Sequence, residues 1–100
     1  MEPNRLSLGG LIFERQGKQI VLRSPEGSVE TDLLGFLRGV KHLLTMGMDL
    51  EGEAELNGGF VFRVQGERVR LKLGRYTETF PLEDVAALFQ RLATEWMVDP

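Results

Sequence analysis

The chain repeats itself at a fixed spacing of 49 residues. The stretch that begins at Gly9 matches the stretch that begins at Gly58 without a gap, and the match continues as far as Thr45 and Thr94. Of these 37 pairs nine are identical, whereas ordinary composition gives roughly two or three. Because a fixed repeat constrains the fold strongly, the pattern predicts two copies of one structural unit. The alternative is that two hairpin-plus-helix units look alike because hairpins and helices share a sequence code.

Length and composition limit the possibilities further. With 100 residues, two such units are too small to fold apart and should share one core. We therefore expect a single domain over residues 1–100, with repeat one at about 1–48 and repeat two at about 49–97. The net charge is −3 and there is no cysteine, which removes disulfides and zinc-thiolate sites. No signal pattern or membrane-spanning stretch is evident, so the expectation is a cytoplasmic protein with no membrane partner.

The first unit begins with a short extended segment followed by a hairpin. A two-residue turn at Gln16 and Gly17, where glycine supplies the positive φ, sets Ile12 opposite Val21. This apolar pair on the outer face indicates a covered surface, which is either an intramolecular lid or a subunit contact. The inner face of the hairpin, by the period-two rule, comprises Leu11, Phe13, Ile20 and Leu22.

A helix follows, with Asp32 as its N-cap and Met46 as its last residue before a closing glycine. Its opposite face repeats Gly35 and Gly39 and ends at Met46. Two glycines inside a helix cost about 1 kcal/mol each relative to alanine. The face is therefore either a close approach to another backbone, as in a two-fold helix pair, or a solvated surface. The buried stripe is predicted to comprise Leu33, Phe36, Leu37, Val40, Leu43 and Leu44.

The second unit opens with a half-buried strand over Asp49–Leu56, in which apolar residues alternate with glutamates. A two-residue turn after this strand would drive the glutamates into the core. A three-residue loop over Asn57–Gly59 instead sets Leu56 opposite Phe60. We therefore predict the three-residue loop.

The next hairpin is predicted to turn at Gln65 and Gly66, which places Arg63 opposite Arg68. A glycine then leads into a strand over Tyr76–Phe80. The length of this last turn decides which face of the strand points inward. Either the two threonines do, or the aromatic residues and the glutamate between them do.

The closing helix starts at Pro81, with acidic residues in its first turn where the helix dipole favours them. Its buried stripe is predicted to comprise Leu82, Val85, Leu88, Phe89, Leu92 and Trp96. The element order predicts an α+β fold of two β-β-β-β-α units, with two antiparallel sheets and two amphipathic helices around one core.

No set of residues for catalysis is evident in the sequence. His42 is the only histidine, and no serine has a partner base. The glutamates at positions 51, 53 and 55 lie on one strand face, where they could hold a divalent cation loosely or form a solvated surface. The sequence therefore predicts a protein that is not an enzyme and has no cofactor or metal.

Basic residues are concentrated on one face of the second unit. Arg63, Arg68, Arg70 and Lys72 project from adjacent strands, and like charges that face each other are unfavourable unless an anion lies between them. One interpretation is a track for the phosphates of a nucleic acid strand, with Tyr76 and Arg75 at its end able to stack on a base.

The other interpretation of this basic face is a self-neutralised ladder. Glu53 would lie beside Arg63, and Glu78 would lie beside Arg70 if the preceding turn has three residues. The sequence leaves both interpretations open.

The order of elements resembles the Whirly and purine-rich-element-binding folds, which contain tandem β-β-β-β-α units. The Whirly signature Lys-Gly-Lys-Ala-Ala-Leu is similar to the segment from Gln16 to Leu22, in which Gly17 and Lys18 match its basic part. The resemblance implies binding of single-stranded DNA or RNA, oligomeric assembly, and a nucleic-acid contact by Lys18.

The sequence therefore indicates two alternative functions. The first is non-enzymatic binding of single-stranded nucleic acid through the basic face. The second is a protein-interaction or assembly module, self-associating as a homodimer through the Ile12 and Val21 patch and the helix face of Gly35, Gly39 and Met46.

Overall fold

Two similar units of four antiparallel strands and a helix make up the protein. The computed structural model describes residues 4–45, 52–56 and 58–96. The first unit comprises β1 (Arg5–Leu8), β2 (Leu11–Gln16), β3 (Gln19–Ser24), β4 (Gly27–Asp32) and α1 (Leu33–Thr45). The second comprises β5 (Gly52–Leu56), β6 (Phe60–Gln65), β7 (Arg68–Leu73), β8 (Tyr76–Pro81), α2 (Leu82–Arg91) and a π-helical segment (Leu92–Trp96). Each sheet has its strands in sequence order, so the predicted α+β fold of two β-β-β-β-α units is confirmed.

The repeat is visible in backbone hydrogen bonds as well as in sequence. The amide of Leu33, at the start of α1, donates to the carbonyl of Lys18 at 3.0 Å. In the second unit the amide of Leu82 donates to the carbonyl of Glu67 at 2.7 Å. Both residues of this bond lie 49 positions after their counterparts in the first unit. Both bonds join the first residue of a helix to the turn of the preceding hairpin. The two halves therefore place their helices on their sheets in the same way.

The β2–β3 hairpin differs from its predicted register by one turn position. The turn consists of Gly17 and Lys18, and the glycine has a φ of 62°. Ile12 therefore pairs with Arg23 rather than with Val21. Each residue of β2 therefore pairs with a residue of β3 two positions farther along the chain than predicted. Because side chains alternate with period two, the same residues still face the core. The predicted inner face is confirmed, since all four of its residues are buried.

The equivalent hairpin of the second unit shows the same difference for the same reason. Gly66 and Glu67 form the turn, and the glycine again takes the first turn position with a φ of 66°. Arg63 consequently lies opposite Arg70, so its predicted pairing with Arg68 is wrong. Glycine occupies the first position of both turns, where the sequence argument had placed glutamine.

The other two connections of the second unit determine which side chains face the core. Leu56 pairs with Phe60, which confirms the three-residue loop. The β7–β8 connection is a two-residue turn, so β8 directs Tyr76, Glu78 and Phe80 inward. The question that the sequence left open is thereby answered in favour of the aromatic and glutamate face. The first three residues of the predicted strand Asp49–Leu56 lie outside the described residues.

The helix α1 begins as predicted. The carboxylate of Asp32 accepts a hydrogen bond from the amide of Gly35 at 2.7 Å, which is the predicted N-cap. Farther along α1, a Cβ on Gly39 would lie 2.6 Å from Cδ2 of Leu56. The close approach at this glycine is therefore to a side chain of the same protein. The predicted helix end at Met46 lies outside the described residues.

One hydrophobic cluster contains residues of both units. The rings of Phe13 and Phe36, from the first unit, lie 5.7 Å and 6.0 Å from the ring of Phe60 in the second unit. The rings of Phe62 and Phe89 stack at 5.7 Å within the second unit. The interior is therefore continuous across the boundary between the repeats. No helix in the described part of the chain is long and apolar enough to cross a membrane.

Candidate functional site

The two units meet at two seams that the repeat relates to each other. At the first seam, the β1–β2 loop of the first unit packs against β8 of the second. A Cβ on Gly9 would lie 2.6 Å both from Oε2 of Glu78 and from Cε1 of Phe80. Gly9 also has a φ of 58°, which disfavours other residues. Glycine is therefore needed here for both backbone conformation and close packing.

The second seam is the counterpart of the first, displaced by 49 residues. The loop that contains Gly58 packs against β4, where a Cβ on Gly58 would lie 3.2 Å from Cγ2 of Thr31 and 3.3 Å from Cγ1 of Val29. These two contacting atoms are methyl groups, and the next nearest atom is Cβ of Thr31 at 3.4 Å. The second seam is therefore apolar at the point where the first seam has a carboxylate.

Glu78 is the main difference between the two seams. Its Oε1 accepts a hydrogen bond from the amide of Gly10 at 3.0 Å and another from the hydroxyl of Tyr76. Glu78 falls on Val29 in the repeat, and Tyr76 falls on Gly27. Both polar side chains thus occur in one half only. A half-buried carboxylate requires donors to offset its lost hydration, and the first seam provides two.

The hydrogen bond to Glu78 is the largest cause of a raised pKa at Tyr76, followed by desolvation and by repulsion from the Glu78 charge. The amide of Gly10 acts in the opposite direction. Tyr76 therefore keeps its proton at neutral pH and serves as a donor to the carboxylate.

A cleft lies next to the first seam, between the β3–β4 turn and the β7–β8 turn. We call it the seam cleft, and it has a volume of about 260 Å³. Arg75, which lines the cleft, directly precedes Tyr76 of the first seam. Pro25 belongs to the β3–β4 turn, and its Cδ lies 3.4 Å from where a Cβ on Gly10 would be. The cleft and the first seam are thus neighbours. The cleft is lined by Ser24, Glu26, Gly27, Ser28, Val29, Leu73, Gly74 and Arg75.

A larger cavity of about 340 Å³ lies at the start of α2. It is lined by Glu67, Pro81, Leu82 and Glu83, all from the second unit. The seam cleft, in contrast, combines side chains of both units and both signs of charge. We therefore take the seam cleft as the candidate site.

The structure separates the residues that were predicted to bind nucleic acid. Arg63, Arg68, Arg70 and Lys72 are exposed on the outer face of the second sheet, whereas Tyr76 points to the inner face. Lys18 lies in a turn of the other sheet. A base that stacked on Tyr76 would therefore be on the opposite side of the sheet from the basic residues.

The self-neutralised ladder is present in part. Arg63 lies 3.9 Å from Glu53, but Arg70 pairs with Thr79 rather than with Glu78. Glu78 is on the inner face and bonds to Gly10 instead. An exposed ion pair at this distance contributes little to stability.

The residues predicted as an association surface are largely covered by the chain itself. Val21 is 5% exposed and Ile12 is half-buried, and the ion pair between Glu14 and Arg23 at 3.1 Å lies on the same outer face. The hydrogen bond from Arg23 is the main cause of a lowered pKa at Glu14.

Part of the helix face predicted for association contacts the chain itself. Gly35 donates to the helix cap and Gly39 packs against Leu56, while Met46 lies outside the described residues. The covered surface is therefore intramolecular at Val21 and at Gly39.

Metal-ligating side chains do not cluster within residues 4–45, 52–56 and 58–96. Within these ranges no group of three or more His, Cys, Asp or Glu side chains is placed to hold a metal ion. His42 is exposed on α1. Two of the three glutamates considered for a cation, Glu53 and Glu55, are exposed on β5, and the third lies outside the described residues.

Comparison with known proteins identifies a similar fold within an enzyme. No family model and no curated protein matches the chain. A solved structure of hydroquinone 1,2-dioxygenase from Sphingomonas sp. TTNP3 in complex with 4-nitrophenol matches 92% of this chain with a TM-score of 0.84 and 21% identity. The same enzyme with 4-hydroxybenzoate bound matches 89% with a TM-score of 0.81 and 22% identity.

The chain spans about a third of the length of the enzyme chains that it matches, 32% and 30% respectively. At this level of identity the likeness shows the fold. The class of structure is therefore a tandem β-β-β-β-α domain of the kind found as one part of a hydroquinone 1,2-dioxygenase chain.

These neighbours correct the functional predictions from the sequence. The resemblance to Whirly and purine-rich-element-binding proteins is wrong, because the matching structures are dioxygenase chains. Single-stranded nucleic acid as ligand is wrong with it, and the alternative of a self-associating interaction module gains no support. The prediction that the protein is not an enzyme is also wrong, since the structures that share this fold are chains of an enzyme. Element order alone pointed to the wrong family, because proteins with one architecture have many different functions.

The polar first seam was not predicted from the sequence. The signal was present in the repeat itself, where Tyr76 falls on Gly27 and Glu78 on Val29. Positions at which one copy of a repeat becomes polar are candidates for function. Their inward orientation, however, depends on the β7–β8 turn length, which the sequence left open.

Proposed function

We propose that this chain binds a small phenolic molecule in the seam cleft and works as a domain of an enzyme that acts on such molecules. The proposal rests on the likeness of 92% of this chain to part of hydroquinone 1,2-dioxygenase at a TM-score of 0.84. The structures of that enzyme contain 4-nitrophenol and 4-hydroxybenzoate. The part that we assign to this chain is binding and orientation of the ring. A cytoplasmic location belongs to the same proposal.

The dimensions of the seam cleft support a ligand with a single ring. Its volume of about 260 Å³ is slightly below the range of roughly 300–1,000 Å³ that is typical of sites for drug-sized ligands. Val29 and Leu73 offer apolar contact to a ring. Arg75 is exposed at the cleft and can bind the oxygens of a carboxylate or nitro group, since a guanidinium pairs with two oxygens at once.

The test is a titration of the isotopically labelled protein with 4-hydroxybenzoate and 4-nitrophenol, followed by amide NMR shifts. We expect saturable shifts in residues 24–29 and 73–75. The Arg75→Ala variant should bind 4-hydroxybenzoate more weakly by about tenfold, because a hydrogen bond to a charged group is lost. Arg68→Ala is the matched control, since it removes the same charge from the outer face of the sheet.

Two outcomes of this titration would contradict the proposed function. One is the absence of saturable shifts up to about 10 mM ligand, which is weaker than any affinity expected of a specific site. The other is saturable binding that shifts residues elsewhere and leaves the two turns unchanged.

A further inference from the structure

We propose that the seam cleft binds its ring in one orientation, with an anionic substituent at Arg75 and a hydroxyl group at Glu26. The preferred ligand is then a phenol with an anionic group across the ring, rather than a diphenol whose two ends are alike. This inference rests on the proposed function and adds to it the class of phenol that is selected and a second residue that determines specificity.

The two walls of the cleft are the same part of each repeat. The β3–β4 turn and the β7–β8 turn each contain two residues. Glu26 is the second residue of the first turn, and Arg75, which lies 49 positions later, is the second residue of the other. Both residues line the cleft. Equivalent positions of the two walls therefore have opposite charges, which makes the two ends of the cleft unlike.

Both charges are accessible to a ligand. Glu26 and Arg75 are exposed, in addition to lining the cleft. Within the described part of the chain, neither side chain makes a hydrogen bond or an ion pair, and the two do not pair with each other. A ligand can therefore contact both groups without breaking an interaction inside the protein.

Hydrogen bonds within the first turn fix the backbone that carries Glu26. The amide of Glu26 donates to Oγ of Ser24 at 3.2 Å, and the same hydroxyl donates to the carbonyl of Gly27 at 3.2 Å. A serine hydroxyl commonly stabilises a turn in this way. Ligand binding must then order only the side chain of Glu26, which leaves more of the interaction free energy as affinity.

The chemistry of the two ends defines the orientation. A guanidinium pairs with both oxygens of a carboxylate, and an ionised carboxylate accepts a hydrogen bond from a hydroxyl group. In the reversed orientation the carboxylate of the ligand would face Glu26, and like charges repel. A diphenol has no anionic group for Arg75. The cleft therefore discriminates by attraction at one end and by repulsion at the other.

Ligands that differ in one group test this orientation. 4-Hydroxybenzoate has both groups, 4-fluorobenzoate lacks the hydroxyl proton, and 4-hydroxybenzamide lacks the negative charge. The amide NMR titration measures each affinity and shows whether the ligand is in the cleft. We expect wild type to bind 4-hydroxybenzoate about threefold to tenfold more tightly than either of the other two. Hydroquinone, measured without oxygen, should bind no more tightly than 4-hydroxybenzamide.

Two variants should each remove a different preference. Glu26→Ala should bind 4-hydroxybenzoate and 4-fluorobenzoate alike, and should keep the preference over 4-hydroxybenzamide. Arg75→Ala should bind 4-hydroxybenzoate and 4-hydroxybenzamide alike, and should keep the preference over 4-fluorobenzoate. Both residues are exposed, and substitutions at such positions usually change stability little.

Glu30→Ala is the matched control for Glu26→Ala. Glu30 is exposed on β4 and is outside the lining of the cleft, and its loss changes the net charge equally. This variant should keep both preferences of wild type. Loss of the hydroxyl preference in the control would overturn the assignment to Glu26, because net charge would then be the cause.

The outcomes separate this inference from the proposed function. If wild type binds all of these ligands equally well in the seam cleft, or if Glu26→Ala keeps the hydroxyl preference, the inference is overturned and the proposed function stands. A preference for hydroquinone over 4-hydroxybenzoate would overturn it as well. If wild type binds none of them, the proposed function is overturned and this inference falls with it.

Discussion

A carboxylate of the second unit accepts a hydrogen bond from the first unit at the boundary between them. Glu78 lies where the repeat otherwise has valine, and its position is stabilised by a backbone donor from Gly10 and by the hydroxyl of Tyr76. The loop that supplies Gly10 must approach β8 closely, which excludes side chains on the loop. The glycines and the glutamate are therefore parts of one arrangement, and each has a measurable consequence.

The ionisation of Tyr76 gives the first prediction. It is the only tyrosine in the chain, so absorbance at alkaline pH reports it alone. Its pKa is raised by Glu78, and we expect its midpoint to lie above the ordinary value of about 10. A raised folded pKa gives stability that is present below the unfolded pKa and lost as pH rises through the folded pKa.

Glu78→Gln is the variant that checks the cause of this shift. It should lower the midpoint of Tyr76, because the amide removes the negative charge. Tyr76→Phe cannot ionise, so the variant should lack the part of the stability loss above about pH 10 that the ionisation of Tyr76 causes. An unchanged midpoint in Glu78→Gln would show that Glu78 is not the cause.

The close packing at Gly9 gives the second prediction. Gly9→Ala and Gly17→Ala both place alanine at positive φ, 58° and 62° respectively, and each should lose about 1 kcal/mol for that reason. A side chain at Gly17 meets nothing within 4 Å, whereas one at Gly9 meets Glu78 and Phe80. We expect Gly9→Ala to lower the free energy of unfolding by about 1–3 kcal/mol more than Gly17→Ala.

Chemical denaturation of the two variants measures this difference. Because the control shares the backbone strain, the difference reports the seam contact. Equal losses in the two variants would mean that the loop and β8 are farther apart than the structure has them.

At the scale of the elements, local periodicity predicted the strands and helices, while turn length determined the strand pairing and the face that each strand buries. The inner face of the β2–β3 hairpin is as predicted although its turn is displaced by one position, since a shift of two residues between partners preserves the face. The turn before β8 is different. There a change of one residue would exchange the buried face for the exposed one, which is why the orientation of Glu78 could not be read from the sequence.

The helix cap gives the third prediction. Asp32 accepts from the amide of Gly35 at 2.7 Å, and α1 has no acidic residue in its first turn to compensate for its loss. Asp32→Ala should therefore lower the free energy of unfolding by about 1 kcal/mol. Asp32→Asn keeps an accepting oxygen and should retain most of the stability. If both variants lose equally, the charge rather than the hydrogen bond is responsible.

At the scale of the whole molecule, the two units depend on each other for their interior. Phe60 of the second unit lies edge-on to Phe13 of the first, with an interplanar angle of 87°, and it also contacts Phe36. Edge-to-face pairs add about 0.5–1.5 kcal/mol beyond burial. Removing a ring from this group should therefore affect both units.

Phe60→Ala gives the fourth prediction. Phe60 is 0% exposed, and its truncation should lower the free energy of unfolding by about 3–5 kcal/mol. We expect one transition, seen alike by the fluorescence of Trp96 in the second unit and by amide exchange of Leu22 in the first. Val61→Ala is the control, because the half-buried Val61 points to the other face and should cost less. Two separate transitions would contradict a shared interior.

What the sequence by itself determined is everything that rests on short-range periodicity and on comparing the two halves: the repeat, the strand and helix order, the buried stripes and the cap at Asp32. The tertiary structure alone decided that Gly10 and Glu78, 68 residues apart, would meet, and that a cleft would lie beside them. Periodicity specifies which face of an element is apolar, because a local pattern is sufficient to bury that face. It does not specify which polar group of one unit approaches which loop of the other, since that contact exists only when both units pack together.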